Sequence, residues 1–253
     1  MQEFLNKGDT FMKINPDPYR HVVLDEFIPP ERYEQIKAEA SRLLSIGKID
    51  ESYHLNSKKT ANHRYGDYQP DIREYLSRLY LGEVKDLVEQ FLGRKVYTDI
   101  EHNWGGGFHF LEPGGFLNMH IDFNIHPHTG LKRVANAILY LNDSWMAEYG
   151  GNLRLLNKQT SRSVEYTPEG NRLVIFPVEE ENWHGNPEKN VSARVRSSFA
   201  MYFYVDADVS EPHSTIYMDE SFVGINVFRK HLWVWFKKLV PKSVINWFKS
   251  KFL

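Results

Sequence analysis

Val134-Ala135-Asn136-Ala137-Ile138-Leu139-Tyr140-Leu141-Asn142 is the stretch on which the fold class turns. With a period of two, Ala135, Ala137, Leu139 and Leu141 share one face, and Asn136, Ile138 and Tyr140 share the other. The first face is apolar and belongs against a core. The second carries an amide, a branched aliphatic and a phenol. That composition fits either a small, partly polar pocket inside a β-fold or a half-exposed sheet surface.

Outward from this segment, from Val96 to Val205, other short β-rich runs follow: Gly107–Leu111, Asn118–Asp122, Asn152–Leu156, Leu173–Phe176 and Ser198–Val205. Gly105-Gly106-Gly107, Pro113-Gly114-Gly115, Gly150-Gly151 and Pro168-Glu169-Gly170 punctuate them. Many short strands separated by turn signals predict a sandwich, jelly roll or barrel. Upstream the period lengthens. After a short β-run at His21–Phe27, Pro29-Pro30 opens a helix over Glu31–Leu44, with Ile36, Ala40, Leu43 and Leu44 on one face. Ile72–Leu92 returns to helical spacing. Between them, Asp50–Pro70 is polar and reads as a long loop. Tyr53, Arg64, Tyr65 and Tyr68 suit it to gripping a ligand as a mobile lid. Helices first and strands later make an α+β chain with a helical layer on a β core.

The chain of 253 residues has room for one large domain or at most two small ones. With 42% apolar and 25% charged residues it has the composition of a globular protein. Lys plus Arg is 31 and Asp plus Glu 33, a net charge of -2, so no global basic field exists to hold nucleic acid. The absence of cysteine excludes disulfide frameworks, thiolate nucleophiles, Cys-bound zinc and iron–sulfur clusters. It is compatible with a reducing compartment. The first ten residues carry Glu3 and Asp9 and do not read as a signal peptide, and no run reaches the ~18 apolar residues of a spanning helix. The expected location is cytoplasmic. Residues 221–253 form a distinct basic, aromatic tail without an acidic residue. Arg229, Lys230, Lys237 and Lys238 sit among Phe228, Trp233, Trp235 and Phe236, and Pro241 divides the tail into two predicted helices. Two readings are open for it: packing on the catalytic domain or across a homodimer, and peripheral contact with an anionic membrane.

The chemistry-bearing residues lie in the β region. His120 and Asp122 flank Ile121 on one predicted strand, so both point to one face. With His184, which follows another strand, they make two histidines and one carboxylate. That set holds non-haem Fe(II) while leaving coordination positions open. Downstream, Arg194, Arg196, Ser198 and Ala200 share a face by strand parity. An arginine buried there requires an anionic partner, and a carboxylate gripped by the planar guanidinium would supply it. Ser198 could donate a further bond.

Glu112-Pro113-Gly114-Gly115-Phe116-Leu117-Asn118-Met119-His120-Ile121-Asp122-Phe123-Asn124, Tyr140-Leu141-Asn142 with Trp145, Gly150-Gly151-Asn152-Leu153-Arg154-Leu155 and His184-Gly185-Asn186-Pro187 closely resemble the 2-oxoglutarate and Fe(II)-dependent dioxygenases, in the prolyl 4-hydroxylase-like branch. The segment His21–Glu31 resembles the opening segment of bacterial members, and the likeness spans roughly residues 16 to 206. It implies a double-stranded β-helix (jelly-roll) core at about 96–206, within a domain of residues 1–220. It also implies Fe(II), 2-oxoglutarate and O2, with ascorbate as an optional reductant, and turnover to succinate and CO2. On the matching positions His120, Asp122 and His184 are the iron ligands, and Arg196 binds the distal carboxylate of 2-oxoglutarate. Arg194 competes with Arg196 for that role, and Tyr140 assists. Halogenating relatives replace the carboxylate ligand with a small residue, so Asp122 implies hydroxylation of an unactivated C–H bond. The substrate could be a prolyl or other side chain, a free amino acid, a small metabolite or a glycan unit.

Two other readings stand beside the dioxygenase: a non-catalytic β-fold binding module with a vestigial metal site, and a membrane-peripheral scaffold acting through the tail. His126-Pro127-His128 has metal-like spacing but no evident third ligand, and His109 reads as a packed or hydrogen-bonded histidine near the pocket. No dinucleotide fingerprint, phosphate loop or Gly-x-Ser-x-Gly elbow is present.

Overall fold

The structure, a computed structural model, describes residues 3–7, 10–101, 103–206 and 212–218. The expected tail helices, and the domain boundary at residue 220, lie outside the described residues. In chain order the elements are β1 (Glu3–Lys7), β2 (Thr10–Asn15), β3 (His21–Leu24), α1 (Pro30–Ser45), β4 (Asp50–His54), β5 (Ser57–Asn62), α2 (Pro70–Leu79), α3 (Lys85–Leu92) and β6 (Tyr97–Thr98). There follow β7 (Gly107–Leu111), β8 (Phe116–Ile121), β9 (Lys132–Tyr140), β10 (Leu153–Asn157), β11 (Arg162–Tyr166), β12 (Leu173–Pro177), β13 (Asn182–Asn186), β14 (Arg196–Val205) and β15 (Ile216–Tyr217).

Every strand pairing is antiparallel. The order runs β12-β9-β14-β7 through one half of the sheet and β8-β13-β10-β11 through the other. From β7 to β14 the chain passes back and forth between the two halves, which is the winding of a jelly roll. β1–β3 extend the first half beyond β12, and β5 bridges β7 to β8.

Strand parity sorts the side chains into two layers. Ala135, Ala137 and Leu139 of β9, Phe199, Met201 and Phe203 of β14 and Leu173 and Ile175 of β12 enter one buried cluster. Ile36, Ala40 and Leu43 of α1, Ile72, Leu76 and Leu79 of α2 and Val88 and Phe91 of α3 join the same cluster, so the helices cover the outer face of this half-sheet. The alternate residues Asn136, Ile138 and Tyr140 of β9 and Ser198, Ala200 and Tyr202 of β14 face the interior of the roll. The segment chosen above thus has its apolar face on the helices and its mixed face on a pocket.

The helix expected over Ile72–Leu92 is interrupted by one π-helical turn at Tyr80–Val84. β7 pairs with β14 only from Arg196 to Ala200, which leaves the Tyr202 peptide without a strand neighbour on that side. The buried Tyr80 hydroxyl fills the gap. It donates to the Tyr202 carbonyl and accepts from the Tyr202 N–H at 3.1 Å.

The long loop expected at Asp50–Pro70 is corrected by the structure. Residues 50–62 form a β-hairpin, and its second strand pairs with β7 through Thr60↔Phe110 and with β8 through Ser57↔Leu117. Its buried positions are Ser57, Thr60 and Asn62, small polar residues that leave no apolar alternation to read. Arg64 is occupied by Asp50 and Asp67 at 2.5 and 2.8 Å, and Tyr68 is buried with its hydroxyl donating to the Asn62 carbonyl at 2.8 Å. These side chains tie the hairpin down and are not held out to grip a ligand. Among the described residues, no helix is long and apolar enough to cross a membrane.

Phe199 sits where the layers meet, in edge contact with Phe108, Tyr65 and Tyr68. Phe199→Ala is expected to cost about 3–5 kcal/mol and lower the Tm by roughly 10 °C. Tyr53→Ala, at an exposed hairpin position, is expected to shift stability by less than about 0.5 kcal/mol in the same thermal melt.

Candidate active site

The interior face of the roll carries a cavity of about 60 Å³, lined by residues of β5, β7, β8, β9, β10, β13 and β14. At one end β8 and β13 bring three ligand-type side chains together. His120 and His184 are directly paired across the two strands, and Asp122 is the first residue beyond β8 on the same face as His120. All three are buried, and one ligand atom from each lies within 4.8 Å of the others. His184 is therefore a mid-strand residue of β13 rather than one that follows a strand. The sequence of Asn182–Asn186 hides this strand because its glycine and two asparagines, which are depleted in strands, outweigh its one tryptophan.

The tautomer of His120 suits metal binding. Nδ1 of His120 donates to the Asn118 carbonyl at 2.8 Å, which leaves the Nε2 lone pair free and facing Asp122. Nε2 of His184 lies 3.2 Å from Asp122 Oδ2. Burial, with the neighbouring His120 adding to it, lowers the His184 imidazole to about 4 against the pull of Asp122. The ring is neutral near pH 7 and donates through Nε2 to Asp122.

The Asp122 carboxylate is held ionised. Burial opposes its charge, but Arg133 and the two histidines together outweigh burial and keep the carboxyl well below the usual range. Arg133 Nη2 lies 2.9 Å from Oδ2, and Asn136 Nδ2 donates to the same oxygen at 2.8 Å. Arg133 in turn donates to Asn136 Oδ1 and lies flat on the Tyr202 ring, 3.3 Å from its centroid. Sequence parity could not have found Arg133. It shares odd numbering with Ala135, which faces the helices. The β14–β9 ladder shifts register between Phe203 and Tyr204, so Val134 and Ala135 both enter the helix-side cluster and Arg133 is turned inward.

At the other end lies Arg196, 4% exposed, with no acidic partner among the described residues. Its Nη1 donates to Ser198 Oγ at 3.2 Å and its guanidinium lies 4.8 Å from the centre of the Tyr140 ring. Arg196 Nε and the Tyr140 hydroxyl are buried without a hydrogen-bond partner. Burial makes the charge unfavourable there and lowers the Arg196 pKa. The structure separates the two arginines that sequence parity put on one face. Arg194 precedes β14, is exposed, and its guanidinium donates to the backbone carbonyls of Asp143 and Ser144 outside the cavity. Parity fails there because the strand begins only at Arg196.

His109 lines the cavity from β7 and bonds through Nε2 to the Gly105 carbonyl at 2.9 Å, as a packed histidine. His126 is buried against Asp99, with Nε2 to Oδ2 at 2.7 Å, away from the cavity.

Residues 106–204 match the model of the 2OG-Fe(II) oxygenase superfamily. The matched segment runs from β7 into β14 and so takes in most of the β core. All three candidate ligands, Tyr140 and Arg196 fall inside the matched segment. The fold is shared with a Pseudomonas putida prolyl-4-hydroxylase at 19% identity and TM-score 0.53, covering 73% of this chain and 91% of that one. It is shared with a Trichoplax adhaerens prolyl hydroxylase, solved in complex with a hypoxia inducible factor peptide fragment, at 16% identity and TM-score 0.53, covering 73% and 83%. The α-ketoglutarate-dependent carbocyclase SnoK of nogalamycin biosynthesis matches at 14% identity and TM-score 0.56, covering 83% and 85%. Among curated proteins none matches this sequence. The family supplies Fe(II), 2-oxoglutarate and O2 to an oxygenase, and the donor set fits them. Two neutral imidazoles and one carboxylate suit the metal, and the orphaned Arg196 Nε and Tyr140 hydroxyl suit a carboxylate.

The lowered histidines of the oxygenase domain make a stability prediction. Both His184 and His109 have pKa values below the unfolded value of ~6.5. Between that value and about 4, the unfolded chain takes up protons that the folded chain refuses. Stability of the metal-free protein is therefore full above pH ~6.5 and falls as pH drops, by roughly 3 kcal/mol from His184 alone. A Tm series from pH 7.5 to 4.5 should show this slope, and His184→Gln should flatten it.

Proposed function

We propose that this oxygenase hydroxylates an unactivated C–H bond of its substrate, with release of succinate and CO2. The observation that carries the reading is the Asp122 carboxylate, present and held ionised by Arg133 and Asn136. It closes the third protein corner of the metal site, the position a halogenating enzyme would need open. Bound Fe(II) with 2-oxoglutarate supplies the oxidising power for C–H cleavage. The chain supplies the rest. His120 and His184 would offer imidazole nitrogens to the metal, and Asp122 the anionic ligand. Arg196 receives the distal carboxylate of 2-oxoglutarate through its free Nε, with the Tyr140 and Ser198 hydroxyls as further donors. Leu153 and Ile138 line the cavity between the two ends and limit water at the reacting centre.

The retained triad, with its supporting arginine and asparagine, favours catalysis over a binding module with a vestigial site. A protein that no longer bound metal would be left holding a buried carboxylate at a cost.

Asp122→Ala should lose tight Fe(II) binding and all succinate production, read by calorimetry and by oxygen-dependent succinate release. Normal turnover in that variant would sink the triad assignment. Arg196→Ala should raise the KM for 2-oxoglutarate by on the order of a hundredfold and leave Fe(II) affinity nearly unchanged, and Tyr140→Phe should act the same way more weakly. Incorporation of labelled oxygen from O2 into the product distinguishes hydroxylation from a ring closure or epimerisation.

A further inference from the structure

Lys59 is a second cation in the same cavity, and it comes from outside the matched segment. It lies on β5, the hairpin strand that bridges β7 and β8, and lines the cavity with His109, Leu111 and Arg196. The register fixes its place. Thr60 pairs with Phe110 and Ala61 with His109, so the next position of the ladder sets Lys59 beside Leu111. On the far side of β7 the partner of Leu111 is Arg196. Lys59 and Arg196 therefore flank one leucine, two strand spacings or about 10 Å apart along the sheet. Side chains on a concave inner face converge from there.

Neither cation is neutralised. Asp122 is the one acid among the described residues lining the cavity, and Arg133 pairs with it. Lys59 makes no hydrogen bond or ion pair among the described residues. Burial lowers its ammonium to about 8 although Asp122 pulls the other way, and Arg133 and Arg196 add to the fall. Two like charges facing one cavity without a counter-ion repel each other, and an anion between them turns both interactions favourable.

The position along β8 selects the anion. Ser57 pairs with Leu117, and Lys59 lies beyond that pair on the side away from His120. It therefore stands at the Arg196 end of the cavity and not over the metal ligands. An anion at that end is the one Arg196 already requires.

We propose that Lys59 is a second anchor for the distal carboxylate of 2-oxoglutarate, gripping it from the hairpin side while Arg196 grips it from β14. The proposal rests on the 2-oxoglutarate reading of Arg196 above. A carboxylate offers about four acceptor sites, enough for the Arg196 fork, the Tyr140 hydroxyl and the Lys59 ammonium together. The hairpin then does more than close the gap between β7 and β8, because it contributes to the cosubstrate site itself.

The test is calorimetric titration of the full-length, Fe(II)-loaded protein without oxygen. The two ligands are 2-oxoglutarate and 2-oxobutyrate, which lacks the distal carboxylate. Lys59→Met should weaken 2-oxoglutarate on the order of tenfold and leave 2-oxobutyrate unchanged, and Lys59→Arg should restore most of the loss. Wild-type affinity for 2-oxoglutarate in Lys59→Met overturns the proposal, and so does an equal loss for both ligands, which would place the effect at the metal or in the fold. Arg196→Met in parallel separates the two assignments. If it loses 2-oxoglutarate while Lys59→Met does not, only the Lys59 role fails. If neither variant changes it, the Arg196 reading fails as well.

Discussion

A carboxylate kept ionised inside a protein is the constraint on which this site depends. Asp122 is buried, and a lone buried charge costs several kcal/mol. The structure offsets that cost with one guanidinium, one amide and two imidazoles. Arg133 and Asn136 both address Oδ2, and Nε2 of His120 lies 3.5 Å from Oδ1. Each of these groups is then positioned by something else. Arg133 is turned inward by a register shift and stacked on Tyr202, and the Tyr202 hydroxyl donates to the Gly105 carbonyl at 2.8 Å. His120 is oriented by the Asn118 carbonyl. The three candidate ligands are thus the inner end of a polar network that reaches four strands, and a displacement in any of them reaches the carboxylate.

That network can exist because the half-sheet β12-β9-β14-β7 is buried on both faces. The helix side is filled with Ala, Leu, Phe, Met and Ile, which supply the apolar burial that a roll with a polar interior cannot supply for itself. The π-helical turn belongs to the same arrangement. Its Tyr80 bonds the Tyr202 backbone in the gap between β7 and β6, so the strand that carries Arg196 and Ser198 is also held from the helical layer.

What the sequence disclosed follows the strength of its periodic signals. β9 and β14 were readable because one face of each is apolar and the period is two, and β12 because it is a short run that is apolar throughout. The triad was readable because histidine and aspartate at i, i+2 point one way on any strand, and the ordered motifs around them resemble a known family. The hairpin at residues 50–62 was not readable, since Ser57, Thr60 and Asn62 are buried polar residues that mimic a loop. β13 was hidden in the same way. Arg133 was missed for a different reason. A register shift of one residue reverses the parity rule, and nothing in Lys132-Arg133-Val134 marks where that shift falls. The choice between Arg194 and Arg196 turned on where β14 begins, and strand ends are where sequence patterns are weakest.

Arg133 and Arg196 make the sharpest internal comparison. Both are fully buried arginines on the interior face of the same roll, and they stand on neighbouring strands. Arg133 has a protein carboxylate at 2.9 Å, and its charge is favoured there despite burial. Arg196 has a serine hydroxyl, a tyrosine ring and an unpaired Nε, and burial lowers its pKa. Folding alone gives no reason to keep the second charge. A leucine or methionine of similar volume would pack against Tyr140 without the desolvation cost. An unneutralised guanidinium beside an unpaired tyrosine hydroxyl therefore supports the proposed carboxylate site. The arginine that has its acid serves the structure, and the arginine that lacks one is the reason for proposing an anionic ligand there.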